Sequence, residues 1–146
     1  MNKHTGIYRK KTPQINSVYL KNKTQVGQFQ VFVIDLARLW FYGEHSRREV
    51  SRNLNIKFGY FNGCRVGLSV NDLFSFIYLF KPMIIFNSPN CAQTTHDEMQ
   101  IAELIFPASK SDKLNLNTAQ NFVPEAETET LVSLAKTVNL SLSGCL

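Results

Sequence analysis

Acidic residues are scarce in the first half of this sequence. Residues 1–66 contain three Asp/Glu against twelve Lys/Arg, a balance of +9, whereas residues 67–146 contain eight Asp/Glu against four Lys/Arg, a balance of −4. Cysteine is also sparse: Cys64, Cys91 and Cys145 are odd in number, far apart and form no C-x-x-C. That excludes a disulfide framework and the common zinc spacings, and it predicts thiols that serve mainly as packing residues in a reducing cytoplasm. No apolar run approaches the roughly 20 residues of a membrane span; the longest, Leu73–Phe86, is broken by Ser75 and by Lys81-Pro82. The basic start MNKHTGIYRKKTPQ is not followed by the apolar stretch of a secretory signal. Phosphate-binding glycine loops, G-x-S-x-G and H-E-x-x-H are all missing, as are internal repeats and low-complexity tracts.

What is present is an ordinary globular composition. The 146 residues are 44% hydrophobic and 18% charged, enough to build one core without staples, so a single domain is expected. Within it, residues 1–16 read as a basic arm ahead of Thr12-Pro13, residues 17–88 as the core, and residues 89–146 as a helical remainder.

The core reading rests on residues 28–88. Gln28–Asp35 is rich in β-branched and aromatic residues and predicts a buried strand, with Asp35 capping a helix from Leu36 that Gly43 weakens or breaks. Asn62-Gly63, lying between Ile56–Phe61 and Cys64–Val70, is the strongest short hairpin signal, because both turn positions of that hairpin need positive φ. The run NDLFSFIYLF reads as a buried helix ended by Pro82, and Met83–Phe86 as a short strand. Strand, helix, strand, strand, helix, strand is the order of a ferredoxin-like βαββαβ unit, so the expected class is α+β.

Beyond the core, Thr95 and Glu98 have the spacing of a capping box and predict a helix carrying Ile101, Ala102, Leu104 and Ile105. PASKSDKLNLNTAQN reads as a polar loop. Pro124 suits a first helical position, ahead of a stripe of Leu131, Leu134, Ala135 and Val138.

Three constellations carry candidate chemistry. Cys91, His96, Asp97 and Glu98 lie within eight residues, but their spacing fits no zinc site and the helix cap accounts for the acids. In EHSRREVSR, Arg48 and Arg52 share a helix face while Glu44 is spaced to pair with Arg48. Arginine suits bidentate phosphate contacts, and His45 beside it offers a general base for metal-independent phosphodiester cleavage. KFGYFNG has the aromatic content of an RNA-binding strand without its order of residues.

The charge split therefore predicts a non-enzymatic cytoplasmic binding protein without metal or cofactor, whose basic half meets a polyanion. Nucleic acid, DNA or RNA, comes first, through Arg47, Arg48, Arg52 and Lys57, with Arg9, Lys10 and Lys11 of the arm adding long-range attraction. The alternative is an adaptor or inhibitor, of the kind phages and mobile elements use, that sets the same basic and aromatic face on an acidic protein. A nuclease centred on His45 is the third reading.

Overall fold

The computed structural model describes residues 22–23, 26–108 and 111–145; the basic arm, with Arg9, Lys10 and Lys11, lies outside them. The described residues form six α-helices: α1 (Gln28–Tyr42), α2 (Glu44–Phe58), α3 (Tyr60–Phe80), α4 (His96–Ile105), α5 (Asp112–Ala119) and α6 (Thr128–Ser143). No strand or sheet occurs among them, so the α+β ferredoxin-like expectation is wrong. α3 lies between α2 and α6, and α1 packs on α2 and α4.

The first expected strand is the first half of α1. Val33, Ile34, Leu36, Ala37, Trp40 and Phe41 are all buried, a spacing of three and four that only a helix places on one side. β-branched residues lower helix propensity slightly, but propensity is a weak prior beside burial. Asp35 is accordingly mid-helix, paired with Lys23 at 2.7 Å, and caps nothing. Gly43 does divide α1 from α2, as its position suggested.

The expected hairpin is also helical. Gly59, at φ 86°, turns the chain between α2 and α3, a backbone region that side chains with a Cβ disfavour. Gly63 lies inside α3, where α2 crosses it. A Cβ at Gly63 would sit 2.7 Å from the Asn55 Cα and 2.8 Å from its N, whereas one at Gly67 would meet only Leu54 Cδ1 at 3.7 Å. Each glycine costs a helix about 1 kcal/mol relative to Ala. Val66, Val70, Leu73, Phe74 and Ile77 are all essentially inaccessible and contribute about 1.5–3 kcal/mol apiece, so packing decides for helix. NDLFSFIYLF is the last half of α3, helical as expected.

Met83–Phe86 joins no sheet; it belongs to a connection, residues 81–95, that returns the chain to α4. A buried ion pair fixes this connection. Arg38 of α1 and Glu98 of α4 have side chains 0% exposed and meet fork to fork, Nε to Oε2 and Nη2 to Oε1, both at 2.8 Å. The remaining guanidinium hydrogens go to carbonyls of the connection: Nη1 donates to Cys91 (2.7 Å) and Ser88 (3.3 Å), Nη2 to Gln93 (2.6 Å). The Glu98 carboxylate in turn accepts from the backbone N–H groups of Asn87 and Thr95. Desolvating two charges is costly unless every lone pair and proton is used in this way.

Glu98 also completes the expected capping box: its N–H donates to Thr95 Oγ1 at 3.1 Å while its carboxylate takes the Thr95 N–H. The polar loop before Pro124 contains α5, capped by Ser111. Pro124 precedes a 3₁₀ turn, Glu125–Glu127, and α6 follows with Leu131, Ala135, Val138 and Leu142 buried.

Candidate functional site at the corner of α2 and α3

α2 has a narrow buried edge, Val50 and Leu54, so most of its side chains face outward. Arg48 and Arg52 are exposed one turn apart, with His45 a turn before Arg48 on the same side. Arg48 has no carboxylate partner among the described residues, whereas Arg52 pairs with Glu49 at 3.1 Å.

The other two basic residues named for this helix face elsewhere. Arg47 is half-buried, stacks 3.8 Å from the Trp40 ring centroid and donates Nε–H to the Trp40 carbonyl at 2.9 Å. It holds α1 to α2. Lys57 is nine positions after Arg48, half a turn out of phase on a helix of 3.6 residues per turn, and its ammonium lies against Phe32 and Phe58. Further positive charge is consumed internally: Arg38 by Glu98 and Lys23 by Asp35. The excess that the sequence displays is thus only partly available to a partner.

A feature outside the basic set dominates this corner. Ile56 (77% exposed), Tyr60 (71%), Phe61 (86%) and Leu68 (68%) are large apolar side chains facing water. The Tyr60 and Phe61 rings touch edge to face at 6.0 Å. Phe61, Cys64 and Leu68 follow one another at helical spacing along the outer side of α3, and Arg65 is exposed beside them. The sequence contains these residues but misplaces them, since a hairpin would bury Ile56 and Tyr60 on its inner face.

The Cys91, His96, Asp97, Glu98 group does not converge. Cys91 is buried and its Sγ accepts the Gln93 N–H; Glu98 is bound to Arg38; Asp97 accepts the Ile85 N–H at 2.8 Å and lies 3.7 Å from Lys81. His96 opens α4 and is exposed. Among the described residues, no group of three or more His, Cys, Asp or Glu side chains is arranged to hold a metal, and no helix is long and apolar enough to cross a membrane. Of the cysteines only Cys91 is a core residue; Cys64 is exposed and Cys145 half-buried.

The described residues define an all-helical assembly with solvent-facing apolar and basic side chains on α2 and α3. No protein-family model matches the chain, and comparisons with curated proteins and with solved structures give no match either.

Proposed function

We propose that this is a non-enzymatic binding protein that docks an acidic protein surface on the corner of α2 and α3. The supporting observation is the exposure of Ile56, Tyr60, Phe61 and Leu68 together. Isolated exposed apolar residues are normal, but four large ones on the two helices that meet here, two of them in ring contact, mark an interaction surface. Aromatic and arginine side chains are the ones that carry most binding energy at interfaces. Arg48 and Arg52 are exposed on α2 and supply attraction towards carboxylates and a faster encounter, whereas the Arg65 guanidinium reaches Cys145 Sγ at 3.6 Å. Three free cysteines suit a reducing cytoplasm as the setting.

The test places a photo-crosslinking residue at Phe61, and at Leu114 as a control, in the chain expressed in its own cells. The expected result is one protein adduct from position 61 and none from 114, lost when Arg48 and Arg52 are both changed to Glu. Absence of an adduct at 61, or an adduct that survives the double charge reversal, overturns the reading.

Nucleic acid remains the second reading, favoured by Arg48, which has no carboxylate partner among the described residues, on one face with Arg52 and His45. Labelled single- and double-stranded DNA and RNA, titrated across a salt series, test it. Binding that falls steeply with salt and is lost in R48E/R52E, but kept in K113E/K136E, would move this reading ahead. Cleavage abolished by His45→Ala would instead support the nuclease.

A further inference from the structure

A separate groove lies where α1 and α2 diverge. Its volume is about 310 Å³, and Phe29, Phe32, Asp35, Lys57, Phe58 and Phe106 contribute to its lining. The size falls at the lower end of the range for small-molecule sites. Its walls are two ring pairs: Phe29 stacks on Phe106 with centroids 5.6 Å apart, and Phe32 meets Phe58 edge to face at 5.8 Å. Gln30 stiffens one wall by donating to the Phe106 carbonyl at 2.9 Å.

The two charges at this groove differ in availability. Asp35 is already neutralised by Lys23 at 2.7 Å. Lys57 has neither a carboxylate nor a hydrogen-bond acceptor among the described residues; its ammonium lies 5.3 Å and 5.8 Å from the Phe32 and Phe58 centroids. Those rings attract the cation through their π faces, yet none of its three N–H donors has an acceptor among the described residues. The groove therefore combines flat apolar walls with one unneutralised positive charge.

We propose that this groove is a binding site for a small aromatic carboxylate, its ring or fused rings between the phenylalanine pairs and its carboxylate on Lys57. Aromatic walls favour a flat ring that adds offset or edge contacts to the pairs already formed. One available ammonium matches a monoanion and forms a charge-assisted hydrogen bond with it. The site is independent of the corner of α2 and α3, since Lys57 faces away from Arg48 and Arg52.

The full chain is titrated with 2-naphthoate by calorimetry and by amide chemical-shift mapping, with the neutral 2-naphthalenemethanol as the comparison probe. Saturable naphthoate binding is expected, with shifts confined to the first two turns of α1, Lys57, Phe58 and Phe106. Lys57→Gln should weaken naphthoate about tenfold and change the alcohol by less than about twofold, because a hydrogen bond to a charged group is lost for one probe only. Phe29→Ala, at a partly exposed position, should weaken both probes. No saturable binding, shifts centred elsewhere, or a Lys57→Gln variant that treats the two probes alike would overturn the proposal.

Discussion

Arg38 and Glu98 show what a buried charge demands of its neighbours. Removing one partner leaves the other desolvated and uncompensated, and Arg38 also leaves three carbonyls of the connection without donors. Arg38→Met and Glu98→Gln should each lower unfolding free energy by about 3–5 kcal/mol in urea denaturation. The double variant R38M/E98Q should lose less than the sum of the two, since neither charge is then stranded. Thr95 Oγ1 both accepts the Glu98 N–H and donates to the Ile85 carbonyl at 2.7 Å, so Thr95→Ala should cost about 1–2 kcal/mol. The Thr95–Glu98 spacing was readable because a cap is local. Arg38 was not, because a helix begun at Leu36 omits Ile34, which with Phe41 flanks position 38 by one turn on either side and brings it under the buried stripe.

The crossing of α2 and α3 allows a test in which two chemically identical changes have opposite signs. Gly→Ala inside a helix normally stabilises by up to about 1 kcal/mol. Gly67→Ala has ordinary contact distance to Leu54 and should follow that rule. Gly63→Ala drives a methyl into the Asn55 backbone, and overpacking of about 1–3 kcal/mol should reverse the sign. Thermal melts of the two variants measured side by side check this; a stabilised Gly63→Ala would mean that the helices separate easily. Gly59→Ala, at φ 86°, should destabilise by about 1 kcal/mol or more through backbone strain. The misreading of Asn62-Gly63 as a turn has its cause here. A glycine required by a neighbouring helix looks, in sequence, the same as one required by positive φ. The same ambiguity affected Gln28–Asp35, whose helical period emerges only when the window extends to Trp40 and Phe41.

At the scale of the whole molecule, stability and binding should separate cleanly. Phe61 and Leu68 touch water rather than core, so Phe61→Ser and Leu68→Ser should each alter unfolding free energy by less than about 0.5 kcal/mol, and Leu68→Ser should abolish the adduct formed from position 61. The arginines of α2 were legible as a candidate site because charge is visible without a fold. Helix spacing also put Arg48 and Arg52 on one face, but the stacking of Arg47 on Trp40 and the separate face of Lys57 were not legible. The face of Lys57 depends on helix phase, which a strand assignment from Ile56 onward removes. α6 was easier to read, since Leu131, Ala135 and Val138 keep a period that no competing signal interrupts, whereas α5 lies where a polar loop was expected.

The connection between α3 and α4 has no secondary structure to protect its amides, yet those of Asn87 and Thr95 end on one buried carboxylate. If solvent reaches them only when Glu98 leaves Arg38, the same event breaks the ion pair that joins α1 to α4. Their hydrogen–deuterium exchange should therefore be as slow as that of the middle of α3 and track global unfolding. A stretch of irregular backbone would then report the opening of the entire helical assembly, and fast exchange there would show that the connection breathes on its own.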